Sequence, residues 1–219
     1  MCGRYNIVTD AEALAEFFEI VIFELQDFHS NYNAAPTQYL PVVRLTDAGR
    51  ELIALRWGLV PFWAKDTKIG YKTINARSET IATKPAFRAA YIKRRCLVPA
   101  SGYFEWKVEG GAKQPYNICL EERGLLAFAG LWEHWEGEKE TLDTFTIVTT
   151  AASDQVKHIH DRMPVILSEQ DCRLWLTSDD QDTLSNLLIP RDIPGLTTYP
   201  VNKRVSNARN NDPECIQPA

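Results

Sequence analysis

Apolar side chains recur at helical spacing in several segments of the chain. After Thr9 and Asp10, the segment AEALAEFFEI predicts an N-capped amphipathic helix over 10–20. Ser78 and Glu79 begin a second helical pattern, which Pro85 interrupts and which resumes to about Arg94. Two further helices, each with a serine at its first position, are expected over 168–176 and 178–189.

Elsewhere apolar and polar positions alternate, which is typical of strands with one buried face. The predicted strands cover 39–45, 51–57, 96–99, 102–108, 114–120, 125–132, 141–150 and 163–167. The glycine-rich segment EGGAK at 109–113 predicts a hairpin turn, and the composition of 30–38 predicts a loop. The order of these elements predicts an α+β fold.

The chain is expected to form one domain over residues 1–219. Its 219 residues are 45% apolar and 11% aromatic, which is enough for a substantial core, and no repeat, low-complexity tract or linker divides them. We therefore predict a single α+β domain with a bent or barrel-like antiparallel sheet at its core and helices at its periphery.

The net charge of −5 hides an uneven distribution along the chain. Residues 61–110 carry ten basic and four acidic side chains, a net charge of +6, with Lys93–Arg95 as the densest run. Aromatic residues are interleaved with these cations, among them Trp57, Trp63 and Trp106. Charge combined with stacking side chains is the composition of single-strand binders, although solvated helix ends and core aromatics give the same pattern.

No apolar run reaches the roughly 18 residues of a membrane-spanning helix, and the acidic N-terminal segment is unlike a signal peptide. The five cysteines include no CxxC pair, so we expect neither disulfides nor a metal site, and no cofactor. His158 and His160 stand at strand spacing, but no further ligands accompany them. A cytoplasmic monomer without a membrane partner is expected.

The chain begins Met-Cys-Gly, and initiator methionine is normally removed before a small residue. Removal of Met1 would leave Cys2 as a 1,2-aminothiol, whose α-amino group has a usual pKa of about 7.7–8.0. Such a pair attacks an amide through sulfur, or condenses with an aldehyde and closes a thiazolidine ring. Gly3 lets a substrate approach the backbone. Alternatively, Cys2 is merely a small second residue without a chemical role.

Three other polar positions are candidates for chemistry. Asn75 precedes the predicted helix at 78, where it is a cap residue or a ligand for a substrate oxygen, with Arg77 placed to bind phosphate. Alternation puts Glu105 opposite Phe104 and Trp106, so it is either solvated or desolvated in a cleft, where its pKa would rise. One imidazole from HIHDRMP would orient or protonate a substrate.

Seven blocks of the sequence, in order from Cys2 to about Pro213, resemble the SRAP family, the SOS-response-associated peptidase-like, abasic-site processing proteins. The blocks are MCGR, YNAAPTQ, WGLVPFWAKD, INARSET, KRRCLVPASGYFEWK, IHDRMPVIL and VNKRVSNARNNDP. The resemblance implies that Cys2, freed of Met1, forms a thiazolidine with the aldehyde of an abasic site in single-stranded DNA. It also implies a DNA-damage function in the SOS response, Schiff-base lyase activity and a self-processing peptidase activity.

The same resemblance implies roles for individual residues. Glu105 would move protons during sugar opening and Schiff-base formation, His160 would position or protonate the sugar hydroxyl, and Asn75 would hold the adduct. The partner would be single-stranded DNA containing abasic sites, with the protein at the nucleoid when bound. The predicted DNA-contacting residues are Arg4, Asn33, Pro36, Trp63, Arg77, Ser78, Lys107, Arg162 and Arg204.

Two other functions remain open from the sequence. Class II glutamine amidotransferases also begin with a processed Cys, but the similarity covers the first three residues and no Arg-Gly-Pro block follows. A non-covalent single-strand DNA-binding module would use the basic segment and leave Cys2 incidental. Covalent attachment to an abasic oligonucleotide distinguishes the crosslinking protein from both.

Overall fold

A closed ring of strands lies at the centre of the protein. The computed structural model describes residues 2–25 and 28–219, which contain fourteen strands and four α-helices. The strands are β1 (Tyr5–Ile7), β2 (Ile22–Phe23), β3 (Asn31–Ala34), β4 (Tyr39–Thr46), β5 (Gly49–Trp57), β6 (Asn75–Arg77), β7 (Arg95–Ala100), β8 (Gly102–Glu109), β9 (Ala112–Leu120), β10 (Leu126–Glu136), β11 (Thr141–Ala151), β12 (Arg162–Pro164), β13 (Ile166–Leu167) and β14 (Leu196–Pro200). The helices are α1 (Ala11–Phe17), α2 (Arg88–Lys93), α3 (Glu169–Thr177) and α4 (Gln181–Leu187).

Five strands close the ring in the order β11, β10, β7, β4 and β5. Their successive pairings are antiparallel, and a parallel pairing of β11 with β5, which aligns Phe145 with Trp57, completes the circle. Closure pairs both edges of every strand in the ring, which removes the exposed edges of an open sheet. The predicted α+β class with a barrel-like core is confirmed.

A second antiparallel sheet, ordered β14, β9, β8, β1 and β3, carries the N-terminal strand. The chain passes from the barrel to this sheet at Ser101, between β7 and β8, where the backbone N–H of Val8 donates to the Ser101 hydroxyl at 2.9 Å. The β8–β9 hairpin turns at Gly110 and Gly111, which both have positive φ, as a two-residue hairpin loop requires.

The two sheets and the helices divide the buried side chains into separate clusters. One cluster fills the barrel and includes Phe128 and Phe145 from the ring together with Tyr5 and Tyr103 from the second sheet. A second cluster lies between the outer barrel face and the helices, with Trp175 at its centre. The second sheet therefore covers one end of the barrel interior, and the helices cover its outside.

The predicted helices over 10–20 and 168–176 are confirmed as α1 and α3, capped by the side chains of Asp10 and Ser168. The helix predicted from 178 begins later, at Gln181, with Asp180 rather than Ser178 as its cap. The helix predicted over 78–94 is wrong in its first half, where one 3₁₀ turn (Ser78–Thr80) and further turns precede α2. Pro85 within this stretch lacks the N–H that a continuous helix needs.

The predicted strands at 39–45, 51–57, 96–99, 102–108, 114–120, 125–132 and 141–150 are confirmed as β4, β5, β7, β8, β9, β10 and β11. The loop predicted over 30–38 is wrong for Asn31–Ala34, which forms β3 beside β1. The strand predicted over 163–167 is divided between β12 and β13. Four short strands, β1, β2, β6 and β14, were not predicted; segments of two to five residues give too little alternation to detect.

Candidate active site

Three candidate catalytic residues from distant parts of the sequence meet at the covered end of the barrel. Cys2 lies three residues before the start of β1, Glu105 lies in the middle of β8, and His160 lies between β11 and β12. Strands β1 and β8 are neighbours, paired through Tyr5 and Tyr103. His160 Nε2 lies 3.8 Å from Glu105 Oε2. The fold therefore places a carboxyl group between an imidazole and the N-terminal segment.

Glu105 is a buried carboxyl group on the inward face of β8. It is only 3% exposed, and it shares this face with Tyr103, while Phe104 belongs to a different cluster on the opposite face. Burial disfavours the charged form and raises the pKa of Glu105 to about 7. A carboxyl group with this pKa donates and accepts protons with comparable ease at neutral pH, which suits a general acid or base.

The His160 ring is held by the main chain that follows it. The backbone N–H of Arg162 donates to Nδ1 at 3.0 Å, and the carboxylate of Asp161 also lies 3.0 Å from Nδ1. The main-chain donor is fixed, whereas the Asp161 side chain is 87% exposed, so we assign Nδ1 as the acceptor and the ring proton to Nε2. Burial lowers the pKa of His160, so a neutral imidazole presents N–H toward Glu105.

The prediction that His158 and His160 stand at strand spacing is wrong. Both lie where the chain turns, because the N–H groups of Ile159 and His160 donate to the Val156 carbonyl. His158 is exposed and His160 is half-buried beside Glu105. Among residues 2–25 and 28–219, no group of three or more His, Cys, Asp or Glu side chains is arranged to hold a metal ion.

The Cys2 thiol is enclosed by the barrel-filling cluster, with no exposed surface. Burial raises its pKa well above the usual value, and the nearby Glu105 charge raises it further. The sulfur lies 4.0 Å from the Arg4 carbonyl. The side chain is therefore a protonated thiol at neutral pH and needs a proton acceptor before it can act as a nucleophile. Met1 lies outside the described residues, so its removal stays a prediction.

Asn75 begins β6, which pairs with β11 and leads into the 3₁₀ turn at Ser78–Thr80 rather than into the predicted long helix. Its Nδ2 donates to the Ile74 carbonyl at 3.0 Å, and its buried Oδ1 has no hydrogen-bond partner among the described residues. The same Ile74 carbonyl accepts from Trp57 Nε1 at 2.8 Å, and the Trp57 ring packs against Tyr5. Asn75 is thus connected through the Trp57 ring to the strand that follows Cys2.

Two predicted DNA-contacting residues, Arg4 and Asn33, hold the C-terminal segment in place. Arg4 Nη1 donates to Asn33 Oδ1 and to the Val205 carbonyl, both at 2.9 Å. Asn33 is fully buried, and its Nδ2 donates to the carbonyls of Val205, Asn207 and Asn210. These bonds fix the chain around 205–210 against the strand that begins after Cys2.

Three other predicted DNA-contacting cations have carboxylate partners in this structure. Arg162 pairs with Glu79 and also donates to the Thr149 carbonyl at 2.8 Å. Lys107 lies 2.8 Å from Glu109 Oε1, and Arg204 lies 2.6 Å from Asp212 Oδ2. Bound phosphate would therefore compete with these carboxylates.

The remaining predicted DNA-contacting residues are Pro36, Trp63, Arg77 and Ser78, of which Trp63 and Arg77 are exposed. The run Lys93–Arg95 does not form a basic face, because Arg94 pairs with Glu133 and the buried Arg95 donates to backbone carbonyls. Five other cations of the 61–110 segment are exposed: Lys65, Lys68, Lys72, Lys84 and Arg88. Three aromatic side chains of the same segment are exposed as well: Phe62, Trp63 and Tyr71.

Tyr5 is a further component of this site that was not predicted from the sequence. Its ring lies in the same buried cluster as Cys2, directly across from Tyr103. β1 is too short to be detected by alternation, so no pattern in the sequence places Tyr5 opposite Tyr103.

No helix in the described part of the chain is both long enough and apolar enough to cross a membrane.

Comparisons with known proteins identify the family of the chain. The family model for SOS response associated peptidase (SRAP) matches residues 1–208. The chain is 41% identical to the abasic site processing protein YoqW of Bacillus subtilis, over 99% of each chain. It is 34% identical to the abasic site processing protein HMCES of Xenopus tropicalis, over 86% of this chain and 66% of the relative.

Solved structures agree with the fold along the whole chain. A crystal structure of a protein from Bacteroides thetaiotaomicron is 29% identical and covers both chains completely, with a TM-score of 0.90. A phage-related protein from Bordetella bronchiseptica is 28% identical over 92% of this chain and 95% of its own, with a TM-score of 0.71. The family match and the sequence identities lead to one conclusion: this chain belongs to the SRAP family of SOS response associated peptidases.

Proposed function

We propose that this protein processes abasic sites by covalently capturing their open-chain aldehyde in single-stranded DNA. The attachment is a thiazolidine formed by the amine and thiol of Cys2 after Met1 is removed. The observation that carries the proposal is the convergence of Cys2 with the Glu105–His160 pair, whose facing atoms lie 3.8 Å apart. The names of two relatives, both abasic site processing proteins, support the same substrate.

The first step requires proton transfer to oxygen. The Cys2 amine adds to the sugar aldehyde, and loss of water from the resulting carbinolamine gives an iminium ion. Glu105 in its protonated form supplies the proton that lets hydroxide leave as water. Its pKa of about 7 means that both protonation states are well populated at neutral pH. The neutral His160, with a proton on Nε2, donates a hydrogen bond to the sugar hydroxyl or to Glu105.

The second step closes the ring and requires the opposite transfer. The Cys2 sulfur attacks the iminium carbon, the electron pair of the C=N bond moves to nitrogen, and the thiol proton passes to the Glu105 carboxylate. Because burial raises the pKa of the thiol, an adjacent base is needed for this step. Asn75, with its buried Oδ1 available as an acceptor, holds the adduct.

The iminium ion also accounts for two further activities in the proposal. Removal of a proton from the carbon next to the iminium carbon permits elimination of the 3′ phosphate, which is a lyase reaction. The self-processing activity would cleave the Met1–Cys2 peptide bond and expose the amine that both reactions use. Strand binding relies on exposed Arg77 and Trp63, through phosphate pairing and base stacking. We further propose that the protein acts as a cytoplasmic monomer at the nucleoid.

The test is covalent attachment to an oligonucleotide with a single abasic site. The purified protein is expected to give an adduct that survives denaturing electrophoresis, with no adduct on intact single-stranded DNA. Cys2→Ala is expected to reduce the yield of this adduct at least 100-fold. Cys119→Ala, which removes another buried free thiol, is the matched control and is expected to give the normal yield.

Three results would contradict the proposal. A normal yield from Cys2→Ala would exclude the thiazolidine, and non-covalent binding alone would identify a DNA-binding module. The intact mass of the purified chain measures whether Met1 has been removed. A retained Met1 in a protein that still forms the adduct would also overturn the proposal, because the ring requires a free α-amine at Cys2.

A further inference from the structure

Two buried tyrosine hydroxyls belong to no hydrogen bond among the described residues. Tyr5 and Tyr103 are cross-strand partners on β1 and β8, so their side chains project from the same face of the sheet. Both side chains have no exposed surface, and neither hydroxyl has a hydrogen-bond partner in the described part of the chain. Leaving a buried polar group unpaired costs about 1–3 kcal/mol, which phenylalanine would avoid.

Aromatic contacts fix the positions of both rings. The Tyr5 ring centroid lies 5.2 Å from that of Trp57 and 6.2 Å from that of Phe128, in edge-to-face arrangements. The Tyr103 ring centroid lies 6.0 Å from that of Phe128, also edge to face. Because a single phenylalanine of the barrel supports both tyrosines, their hydroxyls are held by the rigid core rather than by a mobile loop.

Both tyrosines share their buried surroundings with the Cys2 thiol. All three residues belong to the cluster that fills the barrel, and Glu105 lies two residues beyond Tyr103 on the same face of β8. Burial raises the pKa of both phenols well above the usual value. At neutral pH each hydroxyl therefore keeps its proton and is available as a donor.

We propose that the hydroxyls of Tyr5 and Tyr103 are positioning donors for the Cys2 sulfur during closure of the thiazolidine ring. The inference rests on the proposed function and adds residues that act on one step only. As the thiol proton moves to Glu105, negative charge develops on sulfur in a site from which water is excluded. Neither hydroxyl donates to the sulfur before the reaction. In the proposal the sulfur comes within reach of these fixed donors as the ring closes, and they stabilise the charge that develops on it.

The test separates formation of the iminium from closure of the ring, because only the second uses sulfur. Tyr5→Phe, Tyr103→Phe and the double variant are mixed with a single-stranded abasic oligonucleotide. The yield of adduct trapped with borohydride measures how much iminium has formed. The yield of heat-stable adduct without borohydride measures how much of the thiazolidine ring has closed. We expect each single variant to form the iminium within twofold of the wild-type rate and to close the ring about tenfold more slowly, as for loss of a hydrogen bond to a charged group.

The pH profile provides a second readout. If the hydroxyls stabilise the developing thiolate, ring closure in the variants should reach its maximum at a higher pH than in the wild type. Tyr91→Phe is the matched control, because Tyr91 is also buried but belongs to the cluster beneath the helices. It is expected to change neither rate, and thermal unfolding verifies that all variants fold.

Each outcome has a definite meaning. Wild-type rates and an unchanged pH profile for the double variant would overturn the inference while leaving the proposed function intact. Equal slowing of iminium formation and ring closure would also overturn it, because that pattern indicates general damage to the site. Absence of heat-stable adduct with the wild-type protein would refute the proposed function and this inference together.

Discussion

The two faces of β8 differ in what they contribute to the protein. One face presents Tyr103 and Glu105 to the barrel end, where buried polar groups surround Cys2. The other presents Phe104 and Trp106 to the C-terminal segment, where Phe104 packs in an apolar cluster and Trp106 Nε1 donates to the Ser206 hydroxyl at 3.0 Å. Successive side chains point to opposite sides of a sheet. Adjacent residues of β8 therefore contribute either to the candidate site or to packing against the C-terminal segment.

The C-terminal face is stabilised by both packing and hydrogen bonds. Phe104 packs in a buried cluster with Val201, Val205 and Cys215. A polar chain ties the same region together: Asn6 donates to Asn117 at 3.0 Å, Asn117 donates to the Tyr199 hydroxyl at 2.8 Å, and that hydroxyl donates to the Ile216 carbonyl at 2.9 Å. The barrel-end face instead contains a buried carboxyl group that destabilises the fold once it ionises.

The site therefore depends on stability that the other face of the same strand supplies. Variants on the two faces should therefore have opposite effects on folding and on chemistry. When a functional group held in an unfavourable environment is replaced by an isostere without the charge, we expect the protein to become more stable but less active.

The largest expected effect is that of Glu105→Gln on rate. Loss of the acid and base is expected to slow adduct formation by about 10²–10⁴-fold, measured from initial rates on an abasic oligonucleotide.

The Glu105→Gln variant should also be more stable than the wild type at pH 8. Glu105 has a pKa of about 7 in the folded protein against 4.5 normally, so the folded state holds the proton more tightly. Stability is therefore lost as pH rises from 4.5 to 7, by about 3 kcal/mol.

Chemical denaturation at pH 4 and pH 8 measures this difference, and the Gln variant should exceed the wild type at pH 8 only. Glu133→Gln is the matched control. Glu133 is just as buried, at 2% exposed, but its carboxylate accepts from Arg94 at 2.8 Å. Its replacement should destabilise the fold and leave the rate of capture by the folded protein unchanged. Equal rates for Glu105→Gln and wild type would remove Glu105 from the mechanism.

The second prediction concerns the opposite face of the strand. Phe104→Ala is expected to lower the free energy of unfolding by about 3–5 kcal/mol, because it leaves a cavity in a fully buried cluster. Urea denaturation measures the loss. Val108→Ala, at an exposed position on the same strand, should change stability by less than about 0.5 kcal/mol. A small loss for Phe104→Ala would show that the C-terminal segment contributes little to holding β8.

The smallest expected effect concerns strand binding rather than chemistry. Arg77→Ala should weaken binding to single-stranded DNA and reduce the slope of log affinity against log salt by roughly 0.7, as expected for one lost phosphate contact. Arg173→Ala, which removes an exposed cation from α3, is the control and should leave the slope unchanged. Titrations at several salt concentrations measure both. An unchanged slope for Arg77→Ala would show that Arg77 is not a phosphate contact.

Sequence patterns predicted the longer elements because each pattern depends on local geometry alone. Alternation over 102–108 assigned Glu105 and Tyr103 to one face and Phe104 to the other, and the burial of these residues agrees. Caps and helical spacing likewise identified α1 and α3. The Met-Cys-Gly start and the seven family blocks identified the candidate chemistry, since residue types and their order carry that information without coordinates.

The tertiary structure decided whether each polar residue serves the site or the scaffold. Their positive charge alone placed Arg94 and Arg95 in one group with Arg77. In the structure Arg94 pairs with Glu133 and Arg95 donates to backbone carbonyls, whereas Arg77 is exposed. The environment of Glu105, which raises its pKa, comes from the pairing of β8 with β1 and from the chain that carries His160. Desolvation depends on every neighbour in space, and neighbours that are 50 to 100 residues apart leave no periodic signal in the sequence.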